Sequence, residues 1–175
     1  MKIEREIFFL RRGTTEEIAL FDQIRIQIEL AIHRVVWPEE SSTFIINPTR
    51  LANGVVPIKK EFINYLKSKG WVTEKRFELV NGIGAGPIDA VYDTELGMIA
   101  VEWETGNISS SHRAINKMAT AIIEDRLIAG ILVIPIWNLA QYLTDRIGNF
   151  EEIEPYFPMW NNLNIKRGID RRAHV

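Results

Sequence analysis

The hydrophobic pattern is most informative in the middle of the chain, where two apolar runs flank a short polar turn. The runs cover residues 87–93 and 98–104, and the turn between them includes Gly97. Apolar segments joined in this way predict a β-hairpin. Because apolar residues also surround the acids within each run, we expect these strands to lie inside a sheet rather than along its edge.

A two-residue turn at positions 95–96 would fix the register of this hairpin. In that register Asp89 lies directly opposite Glu102, and opposed residues have Cβ atoms about 4.5–5.5 Å apart. Side chains alternate between the faces of a strand, so Glu104 is expected on the same face as Glu102. The sequence therefore predicts three carboxylates on one small patch.

Helical periodicity, capping residues and helix-terminating residues predict the elements around the hairpin. The predicted elements are a helix at 15–36 with a capping box from Thr14 to Glu17, a helix from Pro57 to before Gly70, a strand at 71–80, a helix from an N-cap at Ser111 to about Arg126, a wholly apolar strand at 129–135, a helix at 138–146 and a short turn or helix at 150–155. The apolar strand between two helices is typical of a buried parallel pair. The first helix carries apolar residues around much of its circumference, which favours core packing but leaves a dimer interface open.

The length and composition indicate one globular domain over residues 1–175. Hydrophobic residues make up 46% and charged residues 25%, which argues against disorder, and the absence of cysteine excludes a disulfide framework or thiolate metal site. The longest apolar run, at 127–137, is too short to span a bilayer, and the charged first residues do not resemble a signal peptide. We therefore expect a cytoplasmic protein with no membrane partner.

Charge and glycine content narrow the possible ligands. The net charge of −2 argues weakly against a protein that coats nucleic acid, but it is compatible with a nuclease whose acids cluster at one site. Four basic residues crowd the last ten positions: Lys166, Arg167, Arg171 and Arg172. The glycine-rich stretch at 81–86 precedes a strand and lacks Gly-Lys-Ser/Thr, so it matches neither a dinucleotide loop nor a P-loop. We expect no small-molecule cofactor.

Opposed carboxylates need a physical explanation, because like charges facing each other across a sheet are destabilising. A bound cation would offset the repulsion, and hard oxygen ligands suit Mg²⁺ or Mn²⁺. The alternative is an exposed sheet face on which each acid is paired with a lysine or arginine. The apolar neighbours of Asp89 and Glu102 favour the metal site.

A metal at this position would suit phosphodiester hydrolysis. Asp89 and Glu102 are the predicted bridging ligands, and the main-chain carbonyl of Trp103 between the two glutamates is a further candidate. Glu104 would orient or deprotonate the attacking water, or hold a second ion. The predicted helix beyond Glu104 carries cationic and polar residues in its first turns (His112, Arg113, Asn116 and Lys117), which suits a phosphate backbone. A solvated helix face explains those residues equally well.

The motif Pro87-Ile88-Asp89, then twelve residues, then Glu102-Trp103-Glu104 resembles the PD-(D/E)xK nuclease superfamily. Glu104 stands where that superfamily usually has lysine, and this departure is similar to the BamHI and BglII branch of type II restriction endonucleases. The stretch 101–108, the following helix with Arg113 and Lys117, and the later apolar strand also resemble that branch. The resemblance covers roughly residues 58–157.

The resemblance implies an α/β fold with a central mixed β-sheet flanked by helices, the restriction-endonuclease-like core. It also implies a homodimer that cleaves double-stranded DNA at a palindromic site with Mg²⁺, for which Mn²⁺ would substitute. A fourth acid on the preceding helix is usual, and Glu61 matches it, with Glu78 as a rival. The predicted DNA-binding residues are Asn107, Ser109, Ser110, His112, Arg113 and Lys117.

Two alternatives to a restriction enzyme remain open from the sequence. One is a repair or resolvase-type nuclease of the same superfamily, which differs in the sequence specificity of cutting. The other is a non-catalytic DNA-binding or interaction protein in which the acids are structural. Metallopeptidase and esterase activities are poorly supported, because the three histidines (His33, His112 and His174) lie far apart along the chain.

Overall fold

A four-stranded mixed sheet contains the central hairpin in the computed structural model, which describes residues 1–9, 13–78 and 84–162. The strands are β1 (Val72–Glu78), β2 (Gly84–Thr94), β3 (Gly97–Trp103) and β4 (Leu127–Val133). They lie side by side in chain order: β1–β2 and β2–β3 are antiparallel, and β3–β4 is parallel. The predicted α/β class with a central mixed sheet is confirmed.

The hairpin has the register that its two-residue turn predicts. Residues 95–96 form the turn, and the pairing runs from Thr94 opposite Gly97 to Ala90 opposite Val101. Gly97 has a φ of 135°, a conformation that glycine adopts without steric cost. The next step beyond the paired segment brings Asp89 and Glu102 together, so the turn chemistry determines where these acids meet.

Helices cover both faces of the sheet. Among the described residues they are α1 (Thr15–His33), α2 (Val55–Ser68), α3 (Ile108–Ile123), α4 (Trp137–Ala140), α5 (Phe150–Ile153) and α6 (Phe157–Asn161), with a 3₁₀ turn at Glu154–Tyr156. On one face α1 and α2 pack against Ile99 and Val101, and on the other α3 packs against Ala100 through Met118 and Ala121. Because successive side chains of β3 point to opposite faces of the sheet, both faces of this strand are covered by helices and β3 lies in the centre of the core.

The first helix begins with the predicted capping box, in which Glu17 N donates to Thr14 Oγ1 at 3.2 Å and Thr14 N donates to Glu17 Oε2 at 2.9 Å. It ends at His33, three residues earlier than predicted. Its buried residues join the main core, while Ile26 and Leu30 remain 52% and 45% exposed. No helix in the described part of the chain combines the length and hydropathy needed to cross a bilayer.

Two further helix boundaries differ from those predicted. Helix α3 begins four residues earlier than predicted, because Asn107 rather than Ser111 is its N-cap. The helix predicted at 138–146 stops at Ala140, since the backbone beyond it turns to bond with Asn53, whose carbonyl accepts from Thr144 N at 2.7 Å.

The strand predicted as fully buried at 129–135 is β4, which starts two residues earlier and pairs with β3 alone among the described strands. Apart from buried Leu127, its residues are half-buried or exposed, because one side of β4 has no neighbouring strand in that part of the chain. The tail from Pro158, predicted to lack a clear period, contributes the end of α6. The basic residues Lys166, Arg167, Arg171 and Arg172, and part of the glycine-rich stretch 81–86, lie outside the described residues.

Candidate active site

Asp89 and Glu102, hereafter the acid pair, lie one step beyond the paired segment of the hairpin. The Asp89 amide donates to Glu102 Oε2 at 3.2 Å, and the Trp103 amide donates to Asp89 Oδ2 at 2.7 Å. Each carboxylate therefore bonds to the backbone of the opposite strand. The two side chains are neighbours, as the predicted register requires, and they tie the strand ends together.

Each member of the acid pair contacts a lysine that comes from a helix. Lys59 of α2 lies 2.5 Å from Asp89 Oδ1, and Lys117 of α3 forms an ion pair with Glu102 Oε1. Lys117 also donates to the Pro87 carbonyl at 2.7 Å. The exposed fractions of the four side chains lie between 8% and 20%, so both ion pairs are largely removed from water. The two negative charges are thus compensated within the protein itself.

The protonation of Glu102 reflects this environment. Burial raises the pKa of the Glu102 carboxyl above its ordinary value of 4.5, and the negative charge of Asp89 acts in the same direction. The Lys117 ammonium and the Asp89 amide oppose the shift in pKa because they stabilise the charged form. Burial is the largest effect, so Glu102 binds a proton more readily than an exposed glutamate does.

Glu104 lines the same cleft as the acid pair, but its carboxylate is bound by the loop that follows β3. Strand β3 ends at Trp103, and Glu104 is the next residue. Its Oε1 accepts from the Gly106 amide at 2.5 Å, and its own amide donates to the Val133 carbonyl at 2.8 Å. Within the described part of the chain, no three Asp, Glu, His or Cys side chains form a preassembled metal-binding group.

The chemistry of the acid pair nevertheless fits a hard divalent cation. Two carboxylates in a partly buried position offer the oxygen ligands that Mg²⁺ and Mn²⁺ prefer. The ring of Trp103 is turned into the core, with its centroid 4.7 Å from that of Phe62, so a metal could use only its main-chain carbonyl. Exchange of a lysine for a metal ion would keep the negative charge compensated.

The acid pair opens onto a cleft of about 1090 Å³ between the sheet and α3. Five of the six predicted DNA-binding residues line this cleft: Ser109, Ser110, His112, Arg113 and Lys117. Asn107 is not among the residues that line the cleft; it is the N-cap of α3, where its Oδ1 accepts from the amides of Ser109 and Ser110 at 3.0 and 3.3 Å. The start of a helix, with its partial positive charge, therefore lies beside the acid pair.

Two of the predicted DNA-binding residues have structural partners that the sequence did not indicate. The ring of His112 packs against Tyr156 and Trp160, with centroids 4.6 and 5.6 Å apart. Lys117 is buried against Glu102 instead of pointing into solvent. Arg113 is exposed, so it is the residue of this helix turn whose charge faces the cleft most openly.

Glu61, the predicted fourth acid, is not brought to the cleft. It lies on the exposed face of α2, where its Oε1 accepts from Asn64 Nδ2 at 3.3 Å. The side chain of its rival Glu78 lies outside the part of the structure that is described. Helix α2 instead contributes Lys59, two residues earlier and about half a turn round the helix.

Lys59 was missed because its contact with Asp89 joins residues 30 positions apart. A weak signal for it exists in the helix pattern. Lys59 directly follows buried Ile58 and so lies at the border of the apolar face, whereas Lys60 points away and pairs with Glu39 on the surface at 3.0 Å. A lysine at such a border can reach an acid at the edge of the core.

Comparison with known proteins identifies close relatives. The family model described as restriction endonuclease BamHI matches residues 1–171. The type II restriction enzyme OkrAI of Oceanobacter kriegii is 45% identical over 166 residues, which cover 95% of this chain and 84% of that enzyme. The type II restriction enzyme BamHI of Bacillus amyloliquefaciens is 37% identical over 170 residues, covering 91% of this chain and 79% of that enzyme.

Proposed function

The chain belongs to the restriction endonuclease BamHI family, and we propose that it cleaves both strands of DNA at a palindromic site with Mg²⁺. As a member of a family of type II restriction enzymes it is a site-specific deoxyribonuclease, a hydrolase of phosphodiester bonds. The observation that carries the finer proposal is the acid pair in the wall of a cleft, where each carboxylate accepts a hydrogen bond from a backbone amide of the opposite strand.

Asp89, Glu102 and the main-chain carbonyl of Trp103 are the groups that would hold the metal, and Mn²⁺ would substitute for Mg²⁺. A bound divalent ion activates water, stabilises charge on the phosphoryl oxygens and assists the leaving group. Glu104 is near enough to the cleft to orient or deprotonate the attacking water, or to help hold a second ion. For that role Glu104 would release the Gly106 amide that it now binds.

The residues that would bind DNA lie around the start of α3. Ser109, Ser110 and exposed Arg113 line the cleft and offer hydroxyl and guanidinium donors to phosphate oxygens or base edges. Asn107 has its carbonyl oxygen committed to the helix cap, which leaves its amide group as a donor. His112 and Lys117 have partners within the protein, so they would contribute to DNA binding through the shape and charge of the cleft wall.

Cleavage of both strands at a palindromic site requires two active sites related by a two-fold axis, which a homodimer supplies. Light scattering in solution should therefore give twice the chain mass of 20.2 kDa. A monomer that remains so when it binds duplex DNA would contradict the proposed homodimer.

Digestion of a long DNA of known sequence, with Mg²⁺ or with EDTA, tests the proposed function. We expect discrete fragments that disappear with EDTA and whose sequenced ends share one palindromic site. A metal-dependent smear would contradict site-specific cutting and favour a repair-type nuclease. Intact DNA across Mg²⁺, Mn²⁺ and other divalent ions would contradict catalysis and favour a DNA-binding protein.

A further inference from the structure

The two lysines that contact the acid pair differ in their burial and in the number of contacts they make. Lys117 makes two contacts, to Glu102 and to the carbonyl of Pro87, and only 8% of its side chain is exposed. Lys59 contacts Asp89 at the mouth of the cleft, and 20% of its side chain is exposed. Helix α3 therefore fixes one cation in the core, while α2 extends the other from the edge of the core.

Withdrawal of Lys59 into water is physically straightforward. Its long aliphatic chain starts at the border of the buried face of α2, so the ammonium can rotate outward while the stem stays packed. The neighbouring Lys60 shows that the solvent side of this turn accepts an ammonium, since it pairs there with exposed Glu39. Lys117 is held more strongly, because it makes a second contact, to the Pro87 carbonyl, and only 8% of its side chain is exposed.

The Lys59 ammonium and a divalent metal ion cannot both bind the carboxylate of Asp89 at the same time. The Lys59 ammonium lies 2.5 Å from Asp89 Oδ1 in the same cleft, so it occupies space next to the carboxylate oxygen that a metal ion would need. A divalent cation on the same carboxylate would repel the ammonium strongly in this partly desolvated site. Without either cation the carboxylate of Asp89 would carry an uncompensated negative charge next to Glu102, whose own charge is balanced by Lys117.

We infer that Lys59 is the displaceable counter-ion of Asp89, which keeps the metal-free site neutral and leaves the carboxylate when a divalent ion binds. This inference rests on the proposed metal site at the acid pair. Lys59 then lowers the affinity for metal in the absence of DNA, because every binding event must first break the Lys59–Asp89 contact. Lys117 stays in place as the permanent counter-ion of Glu102.

Mn²⁺ binding to the DNA-free protein, followed by electron paramagnetic resonance, tests this inference without any cleavage. The chain offers a matched control in Lys75 of β1, which pairs at 2.9 Å with Asp93, a residue that shares β2 with Asp89 but lies outside the cleft. We expect Lys59→Met to tighten Mn²⁺ binding by about tenfold or more, because a unit charge within 4–6 Å shifts a neighbouring equilibrium by one to three powers of ten. Lys75→Met should bind Mn²⁺ as the wild type does.

Lys59→Gln provides a second variant that keeps a polar side chain if the methionine variant is poorly folded, and it should also bind Mn²⁺ more tightly. Unchanged or weaker binding by both Lys59 variants would overturn the inference. An Asp89→Asn variant separates that failure from failure of the proposed function. If Asp89→Asn abolishes Mn²⁺ binding while the Lys59 variants do not tighten it, the metal site stands and the role of Lys59 falls. If the wild type binds no Mn²⁺, both fall.

Discussion

The backbone amide of Asp89 donates a hydrogen bond to the carboxylate of Glu102 at 3.2 Å, across the open end of the central hairpin. In return, the Trp103 amide donates to the carboxylate of Asp89. These two bonds continue the connection between β2 and β3 beyond Ala90 and Val101, the last backbone pair of the hairpin. The same two carboxylates are the proposed metal ligands. Their positions are therefore fixed by the strands themselves, which is the rigidity that a catalytic centre requires.

The buried ion pair of Glu102 and Lys117 predicts a large effect on stability. Lys117→Met should lower the free energy of unfolding at neutral pH by about 3 kcal/mol, because it leaves an uncompensated carboxylate in the core. Lys75→Met, which removes a more exposed lysine from its pair with Asp93, should cost less than about 1 kcal/mol. Urea unfolding of both variants measures the difference. Equal losses would show that the Lys117 pair is not specially desolvated.

The raised pKa of Glu102 predicts how stability depends on pH. Above 4.5 the folded protein holds the Glu102 proton more tightly than the unfolded chain does, so the contribution of this group to stability falls as pH rises. The fall ends once the pH exceeds the raised pKa. Glu102→Gln lacks this titration, so the stability of the wild type relative to the variant should decline with rising pH in that window. A relative stability that rises with pH there would contradict the raised pKa.

Local signals predicted the parts of this fold that local chemistry determines. The two-residue turn at 95–96 sets the hairpin register, and Thr14 with Glu17 forms its capping box without any help from distant residues. The acid pair could be predicted because its geometry follows from that register alone. Its lysine partners could not, because only the packing of α2 and α3 onto opposite faces of the sheet brings Lys59 and Lys117 to it.

One wrong helix boundary has the same physical origin. The helix predicted at 138–146 was cut short by contacts with Asn53, a fully buried side chain nearly ninety residues earlier in the chain. Such long-range competition for backbone groups leaves no trace in local periodicity.

Asn107 caps helix α3 and is also a proposed DNA-binding residue, and we expect that substitutions can separate these two roles. Asn107→Ala should destabilise the protein by about 1 kcal/mol through loss of the α3 cap, and should also weaken DNA binding. Asn107→Asp keeps a cap of equal quality but replaces the amide donor by a negative charge, so it should retain stability and still lose DNA affinity. Thermal unfolding and metal-free binding to a cleavable duplex measure the two effects. Wild-type affinity in Asn107→Asp would exclude a DNA contact.

The exposed position of Glu61 predicts that it has no part in the reaction. Glu61→Gln should cut DNA within about twofold of the wild-type rate. Removal of a surface charge away from the cleft usually changes only the stability, by less than about 0.5 kcal/mol. Single-turnover cleavage rates are the measurement. A loss of a hundredfold or more would return Glu61 to the site and require a different position for α2.

Single-turnover cleavage by Asp89→Asn and Asp93→Asn tests the central claim most directly. Both aspartates lie on β2 and pair with a lysine, but Asp89 belongs to the acid pair and Asp93 lies 56% exposed outside the cleft. We predict that Asp89→Asn loses about 10²–10³-fold or more in rate, while Asp93→Asn stays near the wild type. Near-wild-type cleavage by a folded Asp89→Asn, or an equal loss in both variants, would contradict the acid pair as the active site.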